Sequence, residues 1–180
     1  MSLSTGAIVA IDTAAWLTIQ ISAGYFVTRL SDEWLAQDRW LFRERGWERG
    51  GRFYRERLRV SRWKRWLPEG GTIFGGGFDK RSLASTTSEH LERYRRETRR
   101  AEVCHWLAIV PAPLFVLWNP LLLWFAMLAY AVIVNGPCII SQRYNRLRVS
   151  RVLAARANGW RASTAARSRK RRGTTGSNMP

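Results

Sequence analysis

Apolar and polar positions fall into long blocks along this chain instead of alternating at a helical or strand period. Residues 6–28 read G-A-I-V-A-I-D-T-A-A-W-L-T-I-Q-I-S-A-G-Y-F-V-T, apolar apart from Asp12, Gln20 and a few hydroxyls. At ~1.5 Å per residue this stretch covers ~30 Å, the thickness of a bilayer core, and predicts a membrane helix over residues 1–28. It lacks the basic start of a secretory signal and is read as a retained span. Asp12 and Gln20 lie eight residues apart and share roughly one face. Polar groups are costly in lipid, so that face is expected to meet another helix or to line a substrate cleft. Two further apolar runs, Val103–Trp118 and Leu121–Ser141, are joined by Trp118-Asn119-Pro120. They predict a transmembrane helical hairpin. Its first arm is kinked at Pro111 and Pro113, and its second is interrupted at Asn135-Gly136-Pro137.

The blocks between these runs differ in kind. In residues 29–70, Trp34, Trp40, Phe42, Trp47, Phe53, Tyr54, Trp63 and Trp66 are interleaved with Arg and Glu, with Gly46 and Gly50-Gly51 breaking any period. Two or three short interfacial helices are expected there, aromatics dipping into the interface and Arg reaching lipid phosphates. Residues 71–87 hold Gly75-Gly76-Gly77 and read as a linker. Those glycines lack the strand and helix setting of a nucleotide-binding loop. A helix start is written at Thr86-Thr87-Ser88-Glu89. From there residues 88–160 are expected to form a cytoplasmic helix, the hairpin and a C-terminal helix. Residues 161–180 are rich in Arg, Ser, Thr and Gly and predict a disordered basic tail. The fold class is therefore an all-α membrane protein.

Charge sharpens this picture. The formal charge is +17, yet residues 1–28 have no Lys or Arg, Val103–Gln142 holds no ionisable acid or base except His105, and no Asp or Glu follows Glu102. Arg clusters precede the hairpin (Arg96, Arg99, Arg100) and follow it (Arg143, Arg146, Arg148, Arg151). The positive-inside bias then puts the N-terminus outside and the C-terminus in the cytoplasm of a multi-pass cell-membrane protein. So basic a chain would also suit nucleic acid, but no aromatic follows Trp160 in the tail to stack a base. Anionic lipid is the expected partner, not nucleic acid. Cys104 and Cys138, in apolar context, read as small hydrophobes.

The candidate chemistry gathers at the open end of the hairpin. Glu102 and His105 are three apart and share a helix face. Counting outward from the turn brings Asn135 near the depth of His105, and Arg143 opposite residues 97–100. Imidazole suits proton transfer near neutral pH, and a carboxylate can orient it. His105 and Glu102 are thus the candidate catalytic pair, the alternative being an interfacial hydrogen bond. Arg143, Asn145, Tyr144, Asn135 and Arg100 are candidate substrate-binding groups. A carboxylate-bridged di-iron site would need a second E-x-x-H, which His90 does not supply, so no metal is expected. Neither His-x-x-x-x-Asp nor G-x-S-x-G occurs.

Several motifs carry a family resemblance. They are W-L-x-x-Q (Trp16, Leu17, Gln20), Thr28-Arg29, Arg52-Phe53-Tyr54, Trp63-Lys64, and D-x-R-x-L (Asp79, Arg81, Leu83). Densest is E-T-x-R-A-E-x-x-H-W from Glu97 to Trp106, followed by Asn135, Pro137 and Q-R-Y-N-R from Gln142 to Arg146. In their order and spacing the chain resembles the glycosyl-4,4'-diaponeurosporenoate acyltransferases of staphyloxanthin-type carotenoid synthesis. Asp12, His90 and the basic tail lie outside the matched pattern. The resemblance implies transfer of a fatty acyl group to the primary hydroxyl of a glucosyl group on a carotenoid acid ester, or on a similar glycolipid. It implies no cofactor beyond an acyl donor such as acyl-CoA or acyl carrier protein, and it suggests carotenoid-biosynthesis enzymes as partners. A reading from a different class is a non-catalytic membrane adaptor of a lipid or carotenoid biosynthetic complex. A weaker one is a membrane anchor that binds nucleic acid.

Overall fold

In a computed structural model the described residues are 4–67 and 87–175, with side chains described as far as Ala165. The Gly-rich linker and the D-x-R-x-L motif lie outside them. Every regular element among the described residues is helical. The first helix, α1 (Thr5–Thr28), starts at Ser4, whose hydroxyl accepts from the Ala7 amide at 3.3 Å. It buries only Asp12, Ala23, Gly24 and Val27, while Val9, Leu17, Ile21 and Phe26 stay exposed. A helix that is apolar all round but covered on one strip is suited to lipid on its other sides.

The helix α5 (Ser88–Ile109) begins where the sequence places a cap. Thr87 accepts from the His90 amide, and Glu89 complements the helix dipole in the first turn. It ends before Pro111, and the chain turns through a 3-10 helix over Ala112–Leu117. Then α6 (Leu121–Thr175) packs back along α5. The contacts Leu91–Val149, Glu102–Arg146 and His105–Asn135 show the two helices running antiparallel. Meanwhile α1 crosses both: Val27 packs with Val103, Trp16 lies 4.8 Å from the Phe115 ring, and the Trp16 indole N–H reaches Met127 Sδ.

Three helical segments, Thr5–Thr28, Ser88–Leu117 and Leu121–Ala165, are long and apolar enough to cross a membrane. Leu122 is 81 % exposed and Ile133 70 %. Side chains of that kind need a hydrocarbon environment rather than water.

Two sequence expectations need correction. First, α6 runs unbroken through Asn135-Gly136-Pro137. Proline removes one hydrogen bond, but any non-helical path would strip several backbone groups of partners within an apolar span, so the helix persists. Second, α6 continues as helix through Arg161 to Thr175, where composition suggests no structure. Ala and Arg are strong helix formers, and extending a helix already nucleated by packing is cheap.

Between α1 and α5 the basic-aromatic region holds three short α-helices, as expected, with 3-10 turns among them. The order is α2 (Asp32–Ala36), 3-10 turns over Trp40–Phe42 and Gly46–Gly51, α3 (Arg52–Glu56), α4 (Val60–Trp63) and a last 3-10 turn over Lys64–Trp66. Tyr54 and Val60 anchor this region on Tyr144 and Leu147 of α6, and Phe42 anchors it between α1 and α5. Trp40 and Trp66, at 75 % and 76 % exposure, point outward with the Arg45 and Arg65 guanidiniums over their rings.

Candidate functional site

The single-turn region is held on the α5–α6 pair by arginines that reach its main-chain carbonyls. On α5, Arg99 Nη1 donates to the carbonyls of Leu35, Ala36 and Gln37 at 2.7–3.0 Å, and the same side chain pairs with Asp38. On α6, Arg143 donates to Leu41 O and Arg43 O, both at 2.9 Å, and Arg146 donates to Phe42 O. Short turns leave many carbonyls without intrahelical partners, and a guanidinium with five fixed N–H groups suits that need.

The same two α6 arginines, three residues apart and so on one face, close on two fully buried carboxylates. Glu102 Oε1 accepts from Arg143 Nη1 at 3.0 Å. Its Oε2 accepts from Arg146 Nε at 3.2 Å and Nη2 at 3.1 Å. Glu48 takes Arg143 Nε on Oε1 and Nη2 on Oε2, the latter at 3.1 Å. It also accepts from the Tyr54 hydroxyl at 2.6 Å and from the Arg45 amide. Burial works to raise the Glu48 carboxyl, but the bonds from Arg143, Tyr54 and Arg45 outweigh it and hold the group below its usual range. Burial, with Glu48 beside it, pushes the Tyr54 phenol well up. Two acids and two guanidiniums make a neutral cluster, which is how buried charges are tolerated.

All five N–H donors of Arg143 are engaged within the chain: two to Glu48, one to Glu102 and two to carbonyls. In this arrangement Arg143 has no donor left for a phosphate or an oxyanion.

His105 lies one turn beyond Glu102 on α5, deeper in the apolar part. Its Nδ1 is 3.0 Å from Asn135 Oδ1, and Asn135 Nδ2 donates to Ala131 O at 3.0 Å. The two oxygens of Glu102 are both taken up by guanidiniums. Tyr144 is buried among Tyr54, Val60 and Leu147. Asn145 Oδ1 accepts from Lys64 Nζ at 2.8 Å, and that ammonium lies 5.2 Å from the centre of the Tyr144 ring. Arg100 stands apart, bonded to Val27 O and Asp32 where α1 meets α2. Asp12 is a helix-to-helix contact at the other end of the bundle, where Trp118 Nε1 and Asn119 Nδ2 donate to it at 2.7 and 2.8 Å. No group of three or more His, Cys, Asp or Glu among the described residues is placed to hold a metal ion.

The sequence candidates other than Arg100 thus form three groups: Glu102 with Arg143, His105 with Asn135, and Tyr144–Asn145 with Lys64. Sequence reasoning missed Glu48, Arg146 and the carbonyl clamp of Arg99. Arg146 carried a signal, since its three-residue spacing from Arg143 puts both on one face. Glu48 carried only a weak one, an acid bracketed by Gly46 and Gly50-Gly51. The structure gives those glycines a purpose. Gly50 and Gly51 have φ of 63° and 88°, left-handed values that swing the chain around Glu48.

No solved structure matches this chain. The family model for glycosyl-4,4'-diaponeurosporenoate acyltransferase matches residues 38–155. That interval runs from the Arg99-bound Asp38 through the buried cluster and the His105–Asn135 pair. Proteins described by the same name in Staphylococcus aureus strains bovine RF122 / ET3-1 and USA300 are each 33% identical over 138 residues, covering 77% of this chain and 83% of theirs. The counterpart in strain MRSA252 is 32% identical over the same coverage. With a family model spanning most of its length and relatives matched across most of theirs, the chain belongs to the glycosyl-4,4'-diaponeurosporenoate acyltransferase family.

Proposed function

We propose that this protein is a membrane acyltransferase that esterifies a sugar hydroxyl of a glycosylated carotenoid, or of a similar glycolipid, with a fatty acyl chain. The observation that carries the reading is the family match, whose interval contains Glu48, Glu102, His105, Asn135, Arg143 and Arg146. The relatives' name specifies a glycosyl carotenoid acceptor. An acyl chain and a polyene both partition into lipid, and the apolar sides of α1, α5 and α6 offer such surroundings.

In this reading His105 is the base. Its imidazole takes the proton of the sugar hydroxyl as the oxygen attacks the carbonyl carbon of an acyl thioester. The C–O bond forms, the C–S bond breaks as the tetrahedral intermediate collapses, and the thiolate leaves with the proton that His105 held. Acyl-CoA and acyl carrier protein are the two donor types that fit this step. Glu102, with Arg143 and Arg146, fixes the turn of α5 that carries His105. The Arg clusters at 96–100 and 143–151 face the cytoplasm, and the N-terminus, without Lys or Arg through residue 28, lies outside. The exposed Trp40 and Trp66, each under an arginine, sit at the headgroup level.

The test is turnover of His105→Ala in membranes, with ester formation normalised to membrane protein. A fall of roughly 100- to 10,000-fold at normal abundance is expected for loss of a general base. Near-normal specific activity would remove His105 from the chemistry and favour the adaptor reading.

A further inference from the structure

The pair formed by His105 and Asn135 has a built-in direction. Asn135 is 1 % exposed and sits on α6, facing α5. Its amide has one end that donates and one that accepts. Nδ2 lies 3.0 Å from Ala131 O, a carbonyl that can only accept. The opposite assignment would set two oxygens against each other at that distance inside a helix bundle, so the hydrogen-bond network fixes which end is which. The Asn135 oxygen therefore faces His105 Nδ1 at 3.0 Å. An amide oxygen only accepts, so in the neutral ring Nδ1 carries the proton and Nε2 carries the lone pair.

We infer that Asn135 is a positioning residue for the acyl transfer: it holds His105 as the Nδ1–H tautomer, so that Nε2 is the nitrogen that receives the sugar hydroxyl proton. This rests on the reading of His105 as the base. It moves Asn135 from contact with substrate to control of the base, the part that the third group plays in a nucleophile–base–orienter arrangement. It also accounts for how His105 is oriented when both oxygens of Glu102 are held by Arg143 and Arg146. The tautomer so fixed is the opposite of the one that predominates for a histidine side chain in water, so its observation is informative.

The chain has two histidines. Selective 15N-histidine labelling of the full-length protein in detergent micelles therefore gives few signals, and His90→Gln assigns them. At alkaline pH, His105 should show a pyrrole-like Nδ1 and a pyridine-like Nε2. Asn135→Leu should lose that preference and lower kcat by roughly 10- to 100-fold, the range typical of residues that orient a functional histidine, with KM little changed. Asn135→Gln keeps an amide that can accept from Nδ1 while its NH2 finds a backbone carbonyl, and should recover the tautomer and part of kcat.

A wild-type spectrum with the proton on Nε2 would overturn the inference. So would an Asn135→Leu protein that keeps both the Nδ1–H tautomer and kcat. If Asn135→Leu does not accumulate, the wild-type spectrum and Asn135→Gln decide. Failure of the base reading looks different: His105→Ala stays active whichever tautomer the spectrum shows.

Discussion

Replacing Glu102 by Gln separates a structural frame from a chemical role. Glu102 is fully buried and accepts three guanidinium N–H bonds at 3.0–3.2 Å. An amide offers one accepting oxygen and sets its NH2 group against a donor. Arg143 retains the Glu48 carboxylate, but Arg146, which is 2 % exposed, is left with the Phe42 carbonyl and no counter-charge. Breaking a buried pair from one side costs about 3–5 kcal/mol. The surviving amide acceptor puts Glu102→Gln at the lower end, about 3 kcal/mol, out of a typical total of about 5–15 kcal/mol. That is a more than 100-fold change in the folded-to-unfolded ratio, or about 6–12 °C in Tm for a chain of this size. Thermal unfolding in detergent, with membrane abundance measured by immunoblot, reads it directly. Glu102→Gln combined with Arg146→Met removes the stranded cation and should recover about half or more of the loss, because buried ion pairs exchange for apolar residues at little cost. A Glu102→Gln protein with parental Tm, or a double variant no better than the single, would refute this account of the cluster.

Glu48 should make the protein acid-sensitive in a defined window. Its folded carboxyl titrates lower than an unfolded one, so its contribution is complete above the unfolded value of about 4.3 and is lost as pH falls through the folded value. The Tm of the parent should drop below about pH 4.3, and Glu48→Gln should be less stable at neutral pH with a flatter acid limb. Gly51→Ala, at φ 88°, should cost about 1–2 kcal/mol in unfolding experiments, and Gly51→Asn less. A reporter fused after Arg151 should read cytoplasmic and a tag before Ser4 external; an external reading at Arg151 would reverse the orientation proposed here.

Legibility in the sequence followed the kind of signal involved. The three apolar helices were readable because lipid-facing stretches need length and few charges, and residues 6–28, with Asp12 alone, and 103–141 have both. The start of α5 was readable at Thr87 because an N-cap is a local contact between side chain and backbone. The depth match of His105 and Asn135 followed from counting along two helices joined by a short turn. The buried cluster was not readable, because it depends on where residues 35–48 fold back. That region has no hydrophobic period, and its placement comes from carbonyls taken by Arg99, Arg143 and Arg146. Sequence patterns speak about side chains, and a contact to a main-chain oxygen leaves no mark in them. For the same reason Pro137 misled: it reports a missing N–H, but not the apolar surroundings that keep α6 helical regardless.

The polar contacts also explain how the site keeps its register. Apolar helices in lipid gain little from the hydrophobic effect when they associate, since lipid tails are as apolar as their side chains. Three such helices could slide along one another at small cost, and a slip of one turn moves a side chain by ~5.4 Å. Here polar locks resist the slip at three depths. Asp12 takes Trp118 and Asn119 at the turn end, His105 meets Asn135 part-way along, and Glu102 takes Arg143 and Arg146 at the charged end. The middle lock is a hydrogen bond between a ring nitrogen and an amide oxygen, without the paired charges of the Glu102 cluster. Glu102 with Arg143 and Arg146 ties α5 to α6 in the register at which the 3.0 Å contact is made. A base must stay within hydrogen-bond reach of the proton it abstracts, so in the proposed reading of His105 the charged cluster serves the reaction by holding that side chain at one depth.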